Sequence, residues 1–220
     1  MYLAIEGVIG VGKTTLARLL QPAFQSGLLL EVFEENPFLS KFYQDRARYA
    51  FQTQIFFLLS RYHQQHQGIP ALLAEGKDVI SDYTFTKDAL FAQINLQGDE
   101  LEMYNRVHQA LGEKIIAPDL TVYLRASTDL LMQRIALRDR PYERDMDRDY
   151  IEQVNRAYDA YFLGSHPDRV LVIEAESLDY VHYPEDLRWI ENRIRQALKM
   201  PPFQPELPLP NHKVNHAPDP

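Results

Sequence analysis

Gly7-Val8-Ile9-Gly10-Val11-Gly12-Lys13-Thr14 is the stretch that decides the fold of this chain. It follows the pattern G-x-x-x-x-G-K-[ST] and comes directly after the apolar run Tyr2–Ile5, which we predict as a strand. Glycines allow a tight turn whose backbone N–H groups point inward, and a helix that begins at Lys13 adds partial positive charge. The lysine can reach the β- and γ-phosphates of a nucleotide, and the Thr14 hydroxyl can ligate Mg²⁺. The stretch therefore predicts a binding site for a nucleoside triphosphate.

Short apolar runs alternate with long amphipathic stretches along the rest of the chain. We predict strands over residues 2–6, 28–33, 78–82, 119–125 and 169–174, with helices between them. Strands that are apolar along their whole length are buried on both faces, so the pattern predicts an α/β fold with a five-stranded parallel sheet flanked by helices. Residues 1–200 are expected to form this single domain. Residues 201–220 are rich in proline and are expected to form a flexible tail.

The composition excludes several classes of partner. The chain has 220 residues, a formal net charge of −8 and no cysteine. Nucleic-acid binding depends on Lys and Arg that neutralise phosphates, so this negative charge argues against a nucleic-acid partner. No run approaches the roughly 18 consecutive apolar residues of a membrane helix, so we expect no membrane association. The absence of cysteine makes the cytoplasm the expected compartment.

Two adjacent acids follow the second predicted strand, at Glu34 and Glu35. Ligands of parallel sheets bind beyond the carboxyl ends of the strands, where the glycine-rich loop also lies. A kinase that phosphorylates a hydroxyl needs a carboxylate to accept the proton of that hydroxyl. We therefore expect at least one of the two acids to be functional. The alternative is a pair of solvated loop acids.

Three arginines follow the fourth predicted strand. Arg134 and Arg138 are four residues apart and share one face of a predicted helix, and Arg140 begins its exit. Guanidinium groups stabilise the negative charge that spreads over a phosphoryl group during transfer. Residues 134–140 are therefore predicted to form an arginine-rich lid. The alternative is a solvated helix face on which the arginines pair with neighbouring acids.

These residues, taken in order, resemble the deoxyribonucleoside kinase family, and most closely its bacterial deoxyguanosine and deoxyadenosine kinase branch. The resemblance runs from Met1 to about Leu198. The motifs that carry it are the glycine-rich loop, residues 34–43 (EENPFLSKFY), residues 49–54 (YAFQTQ) continuing to 60–62 (SRY), Ser81-Asp82-Tyr83, and the arginine-rich lid.

The resemblance implies a P-loop kinase fold and a specific reaction. The enzyme would transfer the γ-phosphoryl group of ATP, with Mg²⁺, to the 5′-hydroxyl of deoxyguanosine or deoxyadenosine in nucleotide salvage. The family usually forms homodimers, so a homodimer is expected.

The resemblance also implies roles for single residues. Glu34 would be the base that accepts the proton of the 5′-hydroxyl, with Glu35 as the second candidate. Gln54 would hydrogen-bond the nucleobase, and Arg61 would lie beside the base and steady the first carboxylate. The 3′-hydroxyl of the sugar would be held by Tyr43 and Glu143.

The remaining implied roles concern the phosphates and the metal ion. Lys13, Arg134 and Arg138 would take part in catalysis at the phosphates. Asp82 would belong to the substrate site and, with Thr14, would hold Mg²⁺. The nucleotide would be bound by Gly7, Gly10, Gly12, Lys13, Thr14, Thr15 and Arg140.

One motif departs from the family pattern. Many members carry an acid followed by arginine and serine where this chain has Ser81-Asp82-Tyr83, so the arginine is missing. A few residues later an aspartate often faces the base, and this chain reads Thr86-Lys87-Asp88. Either Asp88 takes that position in a shifted register or Lys87 takes it with the opposite charge. Because guanine and adenine present opposite hydrogen-bonding patterns at position six, the preferred base stays open.

Two other functions compete with this prediction. A nucleoside monophosphate kinase, such as a thymidylate kinase, shares the loop and an arginine lid. It must bind an acceptor phosphate, however, and glutamates after the second strand would repel that phosphate. A nucleotide-gated binding module without acceptor chemistry would not explain why Gln54 and the Glu34 region face one cleft.

Overall fold

A parallel sheet of five strands forms the centre of the computed structural model, which describes residues 1–33, 35–164 and 169–202. The strands are β1 (Tyr2–Gly7), β2 (Gly27–Leu29), β3 (Val79–Ser81), β4 (Leu120–Arg125) and β5 (Val170–Glu174). Their order is β2-β3-β1-β4-β5, and every neighbouring pair is parallel. All residues of β1 are buried, as the apolar run predicts. The predicted α/β fold and its five strands are confirmed.

Eight helices flank this sheet within the described residues. They are α1 (Lys13–Phe24), α2 (Leu39–Gln44), α3 (Arg46–Ala74), α4 (Thr86–Asn95), α5 (Gly98–Gly112), α6 (Thr128–Arg138), α7 (Arg148–Gly164) and α8 (Pro184–Ala197). Helix α1 packs against α8 and three strands, and α3, α4 and α7 pack against one another in series. None of these helices is long and apolar enough to cross a membrane. Residues 203–220, most of the predicted tail, lie outside the described part of the chain.

The long helix α3 brings polar side chains into the interior. It begins after Asp45, whose carboxylate accepts a hydrogen bond from the Arg48 backbone N–H at 3.2 Å and caps the helix. Its buried positions recur every three or four residues and form one stripe. They are Ala50, Thr53, Gln54, Leu58, Arg61, Gln65 and Ile69. Because polar groups are rarely buried without a purpose, Gln54 and Arg61 in this stripe mark the part of the face that lines a site.

Strand β2 is shorter than the sequence predicts. It ends at Leu29, whereas the apolar run suggested a strand over residues 28–33. The apolar run is longer than the strand because Leu30, which follows the last strand residue, also packs against the core. Glu31 is therefore the first acid beyond the carboxyl end of β2, three residues earlier than predicted.

Candidate active site

The glycine-rich loop joins β1, which lies between β3 and β4, to the first turn of α1. Gly12 has a φ of 107°, in the left-handed region that favours glycine, and a Cβ there would collide with the Tyr180 hydroxyl. The Lys13 ammonium donates to the backbone carbonyls of Gly7 at 2.7 Å and Val8 at 3.2 Å. The loop is thus wrapped around the Lys13 ammonium, at the point in the sheet where ligands of such folds bind.

Two connected clefts open beside this loop. The loop cleft contains the predicted nucleotide and lid residues, and Gly7 is buried beneath it. It is lined by Gly10, Gly12, Lys13, Thr14, Thr15, Arg134, Arg138 and Arg140, among others. The main cleft shares Lys13 and Thr14 with it and contains the predicted acceptor residues. It is lined, among others, by Lys13, Glu31, Tyr43, Gln54, Arg61, Asp82, Lys87 and Glu143.

The charges around Lys13 change its acidity. Burial in the cleft lowers the pKa of Lys13 to about 8, and the Lys87 ammonium acts in the same direction. The carboxylates of Glu6, Glu31 and Asp82 oppose this shift. At neutral pH the Lys13 ammonium is therefore largely protonated and can attract phosphates.

Two side chains donate hydrogen bonds to backbone carbonyls of the loop. The Val11 carbonyl accepts hydrogen bonds from Arg134 Nη1 at 2.8 Å and from the Tyr180 hydroxyl at 3.4 Å. The same hydroxyl lies 3.3 Å from the Gly12 carbonyl. Arg134 also donates to the Ala175 carbonyl at 3.4 Å. These contacts fix the backbone of the loop at Val11 and Gly12, next to the predicted phosphate site.

Thr14 and Asp82 meet at the carboxyl end of β3, where the sequence predicted a metal site. The Thr14 hydroxyl donates to one oxygen of the Asp82 carboxylate at 2.5 Å, and the Glu31 backbone N–H donates to the other at 2.7 Å. Within the described residues, no group of three or more His, Cys, Asp or Glu side chains is arranged to hold a metal. This donor set fits Mg²⁺, which is usually held by one or two protein oxygens, water and the phosphates of a nucleotide.

Glu31 is the carboxylate that the structure places in the main cleft. Its Oε1 accepts from Arg61 Nε at 3.2 Å and from Arg61 Nη2, and its Oε2 accepts from Lys87 Nζ at 2.5 Å. Burial raises the pKa of Glu31, but the two cations outweigh burial and hold it well below its usual range. The cleft therefore contains a carboxylate that stays ionised.

The two acids favoured by the sequence are placed differently. Glu34 lies outside the described residues, so its predicted role as the base stays a prediction. Glu35 is exposed and lines a separate groove with Leu29 and Val32, away from Lys13. Sequence reasoning missed Glu31 because it assigned this residue to the interior of β2.

The α3 residues predicted to face the base belong to the main cleft. Gln54 and Arg61 both line it and are only 2% and 5% exposed. The Gln54 Oε1 has no hydrogen-bond partner among the described residues, which leaves an acceptor for a ligand. Arg61 bridges Glu31 and the fully buried Asp88. Burial lowers the pKa of Arg61, but these two carboxylates outweigh burial and raise it, so the guanidinium stays charged.

The arginine-rich lid contacts the main cleft through Glu143. The Glu143 carboxylate, 4% exposed, accepts from Arg138 Nε at 3.1 Å and Nη2 at 2.6 Å, and lies 3.7 Å from Arg140 Nη1. The Arg140 guanidinium also lies 4.1 Å from the centre of the Phe33 ring. Two lid arginines are thus held at the mouth of the cleft by a carboxylate that itself faces the cleft.

Tyr43 closes the side of the main cleft nearest the lid. Its ring stacks on Tyr142, with centroids 6.2 Å apart and planes 9° apart. Burial raises the pKa of Tyr43 well above its usual value, and Tyr150 and Glu143 act in the same direction. The hydroxyl is therefore protonated and can donate a hydrogen bond. Tyr43 and Glu143 line the same cleft, as the resemblance implied.

Glu6 is a buried acid of the site that sequence reasoning missed. It lies within β1 directly before the loop and accepts from the Thr84 backbone N–H at 2.6 Å and the Thr84 hydroxyl at 2.8 Å. Burial raises the pKa of Glu6, and the charges of Lys87 and Lys13 oppose the shift. The signal was an acid in an otherwise apolar strand, which indicates a buried polar contact.

Comparison with known protein families shows which family the chain belongs to. A model of the deoxynucleoside kinase family matches residues 3–199. The chain belongs to this family. It is 33% identical over 201 residues to a deoxyguanosine kinase of Bacillus subtilis (strain 168), covering 90% of this chain and 97% of the relative. It is 33% identical over 162 residues to a deoxyadenosine kinase of Dictyostelium discoideum, covering 71% and 64% of the two chains.

A solved structure of the deoxyadenosine kinase of M. mycoides with bound dCTP has the same fold. Its TM-score to this chain is 0.76, with 26% sequence identity, and the match covers 89% of this chain and all of the other. The chain is thus a deoxynucleoside kinase of the P-loop kinase fold and a phosphotransferase, as the sequence predicted. Neither the monophosphate kinase nor the binding module gains support from these relatives.

Proposed function

We propose that this kinase transfers the γ-phosphoryl group of ATP to the 5′-hydroxyl of a purine deoxyribonucleoside. The observation that carries the proposal is that Lys13, Glu31 and Gln54 line one cleft. A phosphate-binding lysine, an ionised carboxylate and an amide suited to a nucleobase are the groups that such a reaction needs. The names of the relatives, deoxyguanosine kinase and deoxyadenosine kinase, support a purine as the base.

We assign the role of base to Glu31 in place of Glu34. The carboxylate lies beyond the carboxyl end of β2, and its backbone N–H is bonded to the predicted metal ligand Asp82. A carboxylate with a lowered pKa accepts a proton only late in the reaction, when the oxygen–phosphorus bond forms. This suits a loose phosphoryl transfer, in which little negative charge develops early on the attacking oxygen.

The base and the sugar would be bound at the other end of the cleft. Gln54 offers its free acceptor and its amide donor to the edge of the base. Arg61, fixed by two carboxylates, would lie beside the base and orient Glu31. Tyr43 would donate to the 3′-hydroxyl, and Glu143 would accept from it.

The phosphates of ATP would bind in the loop cleft. Gly10, Gly12, Thr14 and Thr15 offer backbone or hydroxyl groups there, and Lys13 offers its ammonium. Mg²⁺, when bound, neutralises charge on the phosphate oxygens, and Thr14 with Asp82 would hold it. Arg134, Arg138 and Arg140 would stabilise the charge on the moving phosphoryl group.

The charge at the end of β2 favours a nucleoside over a monophosphate as acceptor. A monophosphate kinase needs a net positive charge for the acceptor phosphate at this place, and the structure has the ionised Glu31 carboxylate there, between Arg61 and Lys87. An acceptor phosphate would meet this carboxylate and be repelled. We also propose a role in purine salvage and a homodimer, which the family resemblance implies, and a cytoplasmic location, which the absence of cysteine favours.

The function is tested by a panel of acceptors with ATP and Mg²⁺. Deoxyguanosine, deoxyadenosine, deoxycytidine and thymidine are offered beside their 5′-monophosphates, and ADP release and the product are measured. We expect turnover of at least one purine deoxynucleoside and of no monophosphate. Turnover of monophosphates alone would refute the proposal, and so would turnover of none of the eight compounds.

A further inference from the structure

Lys87 is a buried cation for which the roles proposed above leave no function. It is the second residue of α4, is 6% exposed and lines the main cleft with Lys13 and Glu31. Across the described ranges 1–33, 35–164 and 169–202, Glu31 is the one hydrogen-bond acceptor of its ammonium. An ammonium has three N–H donors, so two of them stay available.

Two local features act against the positive charge of Lys87. A cation in the first turn of a helix faces the positive end of the helix dipole. The Lys87 charge also lies close enough to Lys13 to lower the pKa of that ammonium. Side chains that break local rules in this way usually serve a function. The carboxylates of Glu6 and Glu31 already lie near Lys87, so the function to look for is binding of a further anion when Glu31 loses its charge.

The contacts of Lys87 place it beside Glu31, the carboxylate to which we assign the role of base. Its ammonium lies 2.5 Å from Glu31 Oε2. Its neighbour Asp88 is bonded to Arg61 and is fully buried. Arg61 is held between Asp88 and Glu31, whereas the one hydrogen bond of the Lys87 ammonium among the described residues goes to Glu31, the carboxylate that would accept the proton of the 5′-hydroxyl.

We propose that Lys87 is a catalytic residue that binds the phosphoryl group as it reaches the 5′-oxygen. This inference rests on the proposed function. In the reaction the 5′-oxygen forms its bond to the γ-phosphorus, the bond from that phosphorus to the bridging oxygen of ADP breaks, and the hydroxyl proton moves to Glu31. Once Glu31 is neutral, Lys87 loses its ion-pair partner, and the new 5′-phosphate replaces it.

The proposal is tested by comparing ligands with and without the 5′-phosphate. The proteins compared are the wild type, Lys87→Met, Lys87→Gln and Lys87→Arg. For each of them we measure kcat, and by calorimetry the Kd of deoxyguanosine, dGMP, deoxyadenosine and dAMP. Lys87→Met and Lys87→Gln should lower kcat by about 10²-fold, the scale for loss of one charge-stabilising donor. They should raise the Kd of the monophosphate about tenfold or more, with less than about a threefold change for the nucleoside. Lys87→Arg keeps the positive charge, so it should retain most of the wild-type kcat and most of the wild-type affinity for the monophosphate.

The matched control is Lys77→Met, because Lys77 is an exposed lysine paired with Glu75. It should change neither kcat nor Kd. If Lys87→Met fails to fold, as judged by circular dichroism, the Gln variant supports the same comparison. Unchanged kcat, or equal changes in the Kd of nucleoside and monophosphate, would overturn the proposal and leave Lys87 as a structural partner of Glu31. A wild type that phosphorylates no deoxynucleoside would instead contradict the proposed function itself.

Discussion

Replacing Glu31 with glutamine tests the centre of the site, because it removes one charge and keeps the shape. The carboxylate accepts hydrogen bonds from Arg61 and Lys87, and an amide can accept with one end only. Its NH₂ group would then face a cation. If Glu31 is the base, Glu31→Gln should lower kcat by about 10²- to 10⁴-fold, the usual contribution of general base catalysis.

The same substitution should reduce stability by an amount that the ion pairs indicate. The Glu31 and Arg61 side chains are 13% and 6% exposed, so both ions are largely shielded from water. Removing one partner of a buried pair costs about 3 kcal/mol. For a domain of this size about 3 kcal/mol corresponds to a fall in Tm of about 6–12 °C.

The sign of the pH dependence follows from the lowered pKa of Glu31. A carboxyl whose pKa is lower in the folded state stabilises the protein above its unfolded value, about 4.3. This contribution is lost as the pH falls through the folded value. The Tm difference between the wild type and Glu31→Gln should therefore be largest near neutral pH and should shrink as the pH falls below about 4.

The assay is steady-state kinetics at 25 °C, well below the expected Tm, together with thermal unfolding of each variant. Glu34→Gln and Glu35→Gln are the matched controls, because they remove the same charge from the acids that the sequence favoured. Both should keep kcat within a few-fold of the wild type. The reasoning is refuted if Glu34→Gln loses activity at the expected scale and Glu31→Gln does not.

Three further predictions concern single groups of the site. Burial and Lys87 lower the pKa of Lys13 to about 8, and the protonated form attracts phosphate. The kcat/KM for ATP should therefore fall about tenfold per pH unit above pH 8. A kcat/KM that stays constant up to about pH 10 would contradict this. Gln54→Ala should raise KM for the nucleoside about tenfold and leave KM for ATP unchanged, whereas Gln65→Ala, on the same helix stripe but outside the cleft, should change neither. Tyr180→Phe should raise KM for ATP about three- to tenfold, because the hydroxyl no longer holds the loop carbonyls; an equal rise in the nucleoside KM would argue for general loosening of the site.

The glycine-rich loop and the strands were readable from the sequence because their signals are local. The loop needs residues with positive φ at fixed spacing, and the buried strands of a parallel sheet need continuous apolar runs. Gln54 and Arg61 share one buried stripe of α3, but the sequence analysis grouped them through the family resemblance and not through this periodicity. Each of these patterns depends on the geometry of one segment alone.

The carboxyl end of β2, and with it the position of Glu31 beyond the sheet, could not be predicted from such a local pattern. An apolar run does not show where pairing with β3 stops, and the last residue of β2 that pairs is Leu29. The sequence therefore predicted the edge of the sheet several residues later and favoured Glu34, which lies outside the described residues and whose role stays a prediction. The pairing of Lys87 with Glu31, 56 residues earlier in the chain, depends equally on how α4 packs.

The sequence by itself determined that this protein binds nucleoside triphosphates on a P-loop α/β fold, and its motifs placed it among the deoxyribonucleoside kinases. The tertiary structure decided which charges meet in the cleft. Glu31, Arg61, Lys87 and Asp88 come from three separate elements and form one buried network. The physical reason is that strand ends and ion pairs depend on contacts between distant segments. Loops, strands and helix stripes depend instead on residues that are neighbours in the chain.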